Sequence, residues 1–401
     1  MELTRIKQLV QPADSKVVLL VMDGLGGIPR EEGGPTELEA AKTPNLDKLA
    51  SRAICGLHEP VGAGITPGSG PAHLGVFGYD PIRYQVGRGV LAALGIGHPL
   101  TKKDVAARGN FCSIDDQGLV TDRRAGRIGT ETNQELCKLL SEIDIPGVDV
   151  HVKTVKEHRF LLVLSGDGLS GDIADTDPQQ TGYAPLEPTG RSAEAEKTVE
   201  ALKTFVSKAE DVLKDQHPAN MLLLRGFAKF PDWPRFNDVF GVRAAAIASY
   251  PMYRGVGKLI GMEALEAGAD IEDEIATLRA NWNDYDFFYV HVKKVDSSGE
   301  DGDFDRKVSV IEHTDRVLPD ILDLDPDVVV VTGDHSTPAV LKAHSWHPVP
   351  TLLYSKYARP DEVKAFGERA CVAGGLGPRI PAVDLMPIAM ANALRLEKFG
   401  A

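Results

Sequence analysis

Three aspartates and a group of histidines carry most of the chemistry this sequence can offer. Asp23 ends the apolar run KVVLLVMD, Asp296 follows YDFFYVHVKKV, and Asp334 with His335 closes VVVVTGDH. Four consecutive valines cannot alternate polar and apolar faces, so the run suits a strand covered on both sides, as in a parallel sheet between helices. In such a sheet the carboxyl ends of the strands lie on one edge, where ligands bind. Taken singly, Asp23 also reads as an ordinary turn residue, Asp-Gly being a common turn pair, and the Asp334 stretch as a strand-to-loop turn rich in small polar residues. Three at one edge would repel one another in a low-dielectric cleft, and a bound cation is the simplest remedy. Asp23, Asp296, Glu300, Asp334, His335 and one downstream histidine are enough donors for two divalent ions. Two such ions about 4 Å apart can hold a phosphoryl oxygen and depress the pKa of an adjoining hydroxyl. Oxygen-rich ligation with a few imidazoles suits Mn²⁺ or Mg²⁺, with Co²⁺ or Zn²⁺ as alternatives.

A hydroxyl for that role is at hand. The glycine-dense stretch GAGITPGSGPAHLGVFGY places Ser69 just before Pro71 and a predicted helix, where backbone N–H groups and the helix dipole favour an alkoxide. The plainer alternative makes Ser69 a helix N-cap. His73, one turn on, reads as a structural histidine unless the fold brings it to the same face.

Arginines form the second chemical group. RGNFCSIDDQGLVTDRRAGRI reads as two strands around an Asp-Gln-Gly turn and brings Arg123, Arg124 and Arg127 close together with only Asp122 adjacent. Arg159 and Arg225 sit at or near the ends of apolar strands, and Arg254 lies in SYPMYRGVGKL. Guanidinium forks at such places suit a carboxylate or phosphate, although each could equally serve an ordinary ion pair.

These residues need a framework large enough to hold them. The 401 residues, 43% hydrophobic, can bury a sizeable core and suggest two domains. Apolar strands alternate with helical segments: TPNLDKLA, with Thr43 as cap and Pro44 in the first turn, and VSVIEHTDRVLPDIL, the crossover helix before the valine strand. From about residue 98 the apolar runs shorten and arginines cluster, which sets residues 98–245 apart as an inserted α/β domain within a domain formed by 1–97 and 246–401. A formal net charge of -14 argues against nucleic acid or an anionic membrane as partner. Cys55, Cys112, Cys137 and Cys371 are widely spaced without a CxxC pair, so neither a disulfide framework nor a zinc knuckle is signalled. The polar first fifteen residues and the lack of a long apolar span fit a cytoplasmic protein. The oligomeric state is left open, a homo-oligomer included.

MDGLGG, TPNLDKLA, TPGSGPAHLGVFGYDP, DRRAGRI, YPMYRG, the Asp296 segment and TGDHSTP with AHSWHPVP occur in order from near Asp23 to about Pro350. Together they resemble the archaeal-type branch of the 2,3-bisphosphoglycerate-independent phosphoglycerate mutases, within the alkaline phosphatase superfamily. The resemblance implies an alkaline-phosphatase-like parallel-sheet core bearing two metals, helices on both faces, and an inserted phosphotransferase domain. It implies that Asp23, Ser69, Asp334 and His335 hold one ion and that Asp296 and His344 hold the other, with His347 as runner-up. It also implies that Ser69 takes the phosphoryl group of 3-phosphoglycerate as phosphoserine. Glycerate, gripped by a pool of Arg123, Arg124, Arg127, Arg159, Arg225 and Arg254, then turns and recaptures it as 2-phosphoglycerate, without 2,3-bisphosphoglycerate.

The sequence departs from the family's usual Asp-x-x-x-His pattern at the second metal, since Glu300 stands four residues after Asp296. Glu300, or else Asp301 or Asp303, would replace the imidazole, making the site more negative and favouring Mn²⁺ over zinc. The alternatives are a metal-dependent phosphomonoester hydrolase or another phosphotransferase of the same superfamily, and a catalytically silent metal-binding scaffold.

Overall fold

The computed structural model describes residues 2–400 and divides into two compact units. The first takes the chain up to Gln85 and again from Trp233, and the second is Val86–Asp232. In chain order the strands are β1 (Val17–Met22), β2 (Ile54–Glu59), β3 (Asp104–Ile114), β4 (Val120–Asp122), β5 (Asp149–Lys156), β6 (Arg159–Ser165) and β7 (Met221–Lys229). After them come β8 (Ala244–Ala248), β9 (Glu263–Leu265), β10 (Phe287–Val292), β11 (Val328–Thr332), β12 (Val349–Ser355) and β13 (Gly377–Pro381).

The first unit is built on an eight-stranded sheet of order β13-β2-β12-β11-β1-β10-β8-β9. Its centre is parallel: β1 pairs with β10 on one side and β11 on the other, and every residue of these three strands is buried. Continuous apolar strands need helices over both faces, and each fully buried Val, Leu or Phe contributes roughly 1.5–3 kcal/mol. The sheet is mixed rather than wholly parallel, because β12 runs antiparallel to both β11 and β2. The register matters for the site. Val21 pairs with Thr332, and Met22 pairs with Val292. One step further along brings Asp23 level with Lys293 on one side and Asp334 on the other. Asp296 does not close its strand: it lies in the first turn of the following helix, Lys294–Asp301.

The second unit carries a five-stranded antiparallel sheet in which β3 pairs with β4, β6 and β7. The helices Thr130–Leu140 and Glu196–Leu213 bury Leu136, Leu140, Leu202 and Phe205 in the core of this unit. The limits expected at 98 and 245 shift earlier on both sides. At the first, the helix Arg88–Gly95 already packs on β3 and β7, so closely that a Cβ on Gly89 would stand 2.0 Å from the Ala106 carbonyl oxygen. At the second, the Phe236 ring packs at a tilt against Phe287, centroids 4.8 Å apart, and its N–H donates to the Ile260 carbonyl, which ties residues before 245 to the first unit. Among the described residues no helix is long and apolar enough to cross a membrane, and all four cysteines are free and buried.

Thr43 stands at the cap position of the helix Pro44–Ala50, but its side chain makes no capping bond. The cap comes from far along the chain. Asp315, 1% exposed on the helix Phe304–Leu322, accepts from the Leu46 N–H at 2.7 Å and the Asn45 N–H at 3.4 Å. Replacing it by alanine leaves these buried donors unpaired, which costs about 1–3 kcal/mol. An Asp315→Ala variant should therefore unfold several degrees below the parent in a thermal melt, and Asp315→Asn, which keeps one acceptor, should lose less. Equal midpoints for all three proteins would refute the capping role.

Candidate active site

The edge where β11, β1 and β10 end gathers three carboxylates almost out of water: Asp23 and Asp334 are 0% exposed and Asp296 is 1%. Donor atoms of Asp23, Asp334 and His335 all lie within 4.8 Å of one another, and so do those of Asp296, His335 and His344. His335 thus belongs to both sets. Its Nε2 is 3.4 Å from Asp23 Oδ1, 3.2 Å from Asp334 Oδ2 and 3.2 Å from Ser69 Oγ. Its ring stacks on that of His344 with centroids 3.7 Å apart. His344 Nδ1 donates to the Pro67 carbonyl at 2.9 Å, which leaves the Nε2 lone pair facing Asp296 and Glu300 at 3.6 and 3.9 Å.

Ser69 is the first residue of the helix Ser69–Val76, one place inside the cap position held by Gly68, and its side chain makes no capping bond. The hydroxyl turns instead toward His335. His73, one turn along, donates from Nδ1 to the Ser69 carbonyl at 2.8 Å and stands 3.0 Å from Asp334 Oδ2. It is therefore a wall of the site, reached because the helix period stacks positions 69 and 73 on one face.

The electrostatics of this edge are unbalanced toward negative charge. Among the described residues Lys293 is the one lysine or arginine paired to its aspartates, 3.1 Å from Asp23 Oδ2 and in contact with Asp296 Oδ2. Burial works against its charge, yet Asp23 and Asp296 hold its ammonium above the usual lysine range. Burial keeps the His335 imidazole below its ordinary value in spite of Asp334 and Asp23. Both oxygens of Asp23 and Oδ2 of Asp334 are buried and accept no well-aligned hydrogen bond, their neighbours being the Lys293 ammonium and the His291, His335 and His73 imidazoles at ion-pair distance. Buried carboxylate oxygens left unpaired are costly, and two sets of carboxylate and imidazole donors fit divalent cations.

Glu300 lies one helical turn beyond Asp296 but in neither three-residue set. Burial, and then the Asp296 charge, push its carboxyl above the ordinary range. Asp301 and Asp303 do not reach: Asp301 pairs with Arg306 at 3.1 Å, and Asp303 accepts from the Arg306 N–H at the start of the next helix. His347 is also turned away, with Nδ1 on the Ser345 hydroxyl at 3.0 Å. Spacing arguments do not find Lys293, His291 or Thr337, because nothing in HVKKVD or DHSTP separates a site residue from its neighbour until the register is known.

The second unit holds the arginines. A cavity of about 180 Å³ is lined by Arg88, Arg108, Asn110, Arg123, Arg124, His158, Arg159 and Arg225. Cross-strand pairing explains the gathering: Arg108 faces Arg225 across β3 and β7, and Asn110, two residues on, faces Arg159 across β3 and β6, so all four share one face. Asp177, 2% exposed, takes a bidentate pair from Arg123 at 3.0 and 2.7 Å and lies 3.4 Å from Arg225, fixing both guanidinium groups. Burial, reinforced by Arg159, pushes the His158 imidazole down to about 4, so it enters the cavity wall as a neutral group. Arg127 is not among the lining residues; its backbone sits in the left-handed region, φ 55°, at the end of a short turn. Arg254 is in the first unit, donating to the Ala248 carbonyl at 2.7 Å and facing Glu266. Arg88 and Arg108 join the cavity without having been singled out by clustering in sequence, since packing of the helix Arg88–Gly95 on β3 and β7 brings in the first and strand pairing the second.

Known proteins share this arrangement of sequence. Residues 50–220 match the family model described as 2,3-bisphosphoglycerate-independent phosphoglycerate mutase. A protein of Thermotoga neapolitana named as a probable enzyme of that kind is 54% identical over 99% of this chain and 98% of its own length. One of Thermus thermophilus with the same name is 51% identical over 99% and 98%. The solved structure of a cofactor-independent phosphoglycerate mutase from Thermoplasma acidophilum is 30% identical, superposes with a TM-score of 0.75, and covers 94% of this chain and 100% of its own. Similarity of this extent over nearly the whole of both chains places the protein in a family: it belongs to the 2,3-bisphosphoglycerate-independent phosphoglycerate mutases.

Proposed function

We propose that the protein interconverts 3-phosphoglycerate and 2-phosphoglycerate through a phosphoserine on Ser69, at a centre for two divalent cations. The observation that carries this reading is the Ser69 hydroxyl, 3.2 Å from His335 Nε2, beside buried carboxylates whose negative charge exceeds what Lys293 supplies. Asp23, Ser69, Asp334 and His335 would hold one ion and Asp296 and His344 the other, with Glu300 completing the second set. The donor chemistry favours Mn²⁺, with Mg²⁺, Co²⁺ or Zn²⁺ as alternatives. When bound, such ions supply positive charge that acidifies an adjoining hydroxyl and neutralises a phosphoryl group.

The chain's own groups do the rest. The Ser69 Oγ–H bond loses its proton, Oγ bonds to phosphorus, and the bond from phosphorus to O3 of glycerate breaks, O3 taking up a proton. In the second half the O2–H bond of the same glycerate loses its proton, O2 bonds to phosphorus, the bond from phosphorus to Oγ breaks, and Ser69 Oγ takes up a proton. Lys293 is placed to offset negative charge on the transferring group, and the Ser69 N-terminal helix turn adds backbone N–H dipoles. A mutase must also keep glycerate between the two halves. The arginine cavity, with Arg123 and Arg225 held in place by Asp177, is assigned the grip on its carboxylate, together with Arg108, Arg124 and Arg159. Arg127 and Arg254 lie outside the lining of that cavity and stay in the pool on the resemblance alone. The substrate is a small phosphorylated hydroxy acid, and a formal net charge of -14 disfavours nucleic acid as a partner. A cytoplasmic setting fits a soluble glycolytic enzyme with four free, buried cysteines.

A phosphorus NMR time course with Mn²⁺ and 3-phosphoglycerate, and no 2,3-bisphosphoglycerate, should show 2-phosphoglycerate with little inorganic phosphate, and Ser69→Ala should abolish it. Inorganic phosphate as the main product would mean a hydrolase instead. Arg225→Met should lower kcat/KM roughly 10- to 100-fold, the worth of a lost charge-assisted hydrogen bond, and raise the share of phosphate released. An unchanged kcat/KM would remove Arg225 from the grip. For Glu300→Ala, calorimetric titration with Mn²⁺ should show weaker uptake of the second ion. Full stoichiometry and affinity would leave Glu300 without a ligand role.

A further inference from the structure

We propose that Thr337 is a positioning residue that couples the two cation-binding sets and fixes the tautomer of the histidine they share. The inference rests on the two-cation reading above. Thr337 is 0% exposed, and its Oγ1 touches both sets: it lies 2.6 Å from Asp296 Oδ1 and 3.0 Å from His335 Nδ1. A threonine hydroxyl has one proton to give and lone pairs to receive. The Asp296 carboxylate has no proton to give, so the hydroxyl proton goes to Asp296. His335 Nδ1 must then carry its own proton and donate it to Oγ1, since two acceptors cannot share the single hydroxyl hydrogen. That assignment leaves Nε2 of His335 unprotonated, with its lone pair directed at Ser69 Oγ, Asp23 Oδ1 and Asp334 Oδ2. This is the form in which an imidazole ligates a cation, and a partner on the other ring nitrogen both selects it and sets the ring plane.

The same hydroxyl links Asp296, from the second set, to His335, which serves both. A change in the position of one set is thereby passed to the other through two hydrogen bonds. The backbone of Thr337 is held equally firmly. Its N–H donates to Gly26 O at 3.0 Å, and its carbonyl accepts at 2.9 Å from the ammonium of Lys307, which is 0% exposed and also donates to Gly26 O at 3.1 Å. Glu37, likewise buried, stands 4.0 Å from that ammonium and accepts the Ala339 N–H at 2.7 Å. The loop after β1, which carries Asp23, and the loop after β11, which carries Asp334 and His335, are therefore stitched together at Thr337.

Mn²⁺ titrations of the full-length protein, followed by calorimetry and by the electron paramagnetic resonance of free Mn²⁺, separate a hydroxyl role from a packing role. In Thr337→Ser the hydroxyl remains and the methyl is lost; in Thr337→Val the volume remains and the hydroxyl is lost; in Thr337→Ala both are lost. Thr337→Ser should bind close to wild type, whereas Thr337→Val and Thr337→Ala should both lose roughly 10- to 100-fold in affinity, the usual effect of removing a group behind a ligand. If affinity follows side-chain volume instead, with Thr337→Val near wild type and Thr337→Ser weakened, the coupling role is wrong while the two-cation reading stands. Wild-type protein that takes up no Mn²⁺ would overturn the two-cation reading and this inference with it.

Discussion

The structure depends on one electrostatic constraint: three carboxylates must be kept nearly dry and close together at the edge of an apolar sheet. At about 4 Å, like unit charges repel by about 4 kcal/mol even at an effective dielectric constant of 20. Within the protein, Lys293 and the surrounding imidazoles offset part of this, and Gly24 N–H donates to Asp334 Oδ1. Oxygens of Asp23 and Asp334 still accept no well-aligned hydrogen bond. A site in that condition is poised for divalent cations, and its rigidity has to come from what surrounds it.

That surround is unusually polar for a buried layer. Lys307 and Glu37 are both 0% exposed, and Glu368 accepts the Gly27 N–H and the Thr36 hydroxyl. Burying such groups is unfavourable unless each finds partners, and here the partners include the backbones of the loops that follow Asp23 and His335. Replacing one of them by an apolar residue would therefore disturb loop geometry as well as local charge. Gly24, with φ 65°, belongs to the same arrangement: a Cβ there would stand 2.5 Å from Thr337 Oγ1 and 2.9 Å from Asp296 Oδ1.

The second unit solves a different problem with a different sheet. Antiparallel pairing puts Arg108, Arg225, Asn110 and Arg159 on one face at cross-strand distance, and like charges so placed need either counter-charges or an anion. Asp177 pairs with Arg123 and stands close to Arg225. Arg108, crowded by burial and by Arg159, Arg88 and Arg225, has its pKa pulled down from the usual arginine value. Positive charge left in excess in a small cavity is what recognition of a carboxylate or phosphate requires.

Some of this was determined by the sequence alone. Runs such as VVLLVM, FFYVHV and VVVV suited covered strands, and their shared pattern of ending near a carboxylate implied that the carboxylates gather at one edge. A cluster of arginines away from those runs implied a second function for the middle of the chain. What lay beyond the sequence is whatever depends on register or on contacts hundreds of residues apart. Register decided that Lys293 stands beside Asp23 and that Arg108 meets Arg225. Distant packing decided that Asp315, rather than Thr43, caps the helix Pro44–Ala50, that Asp296 sits on a helix rather than at a strand end, and that β12 is antiparallel. Local propensity acts over a few residues, whereas a hydrogen bond between residues 45 and 315 exists only once the core has closed around both, and no spacing rule along the chain encodes it.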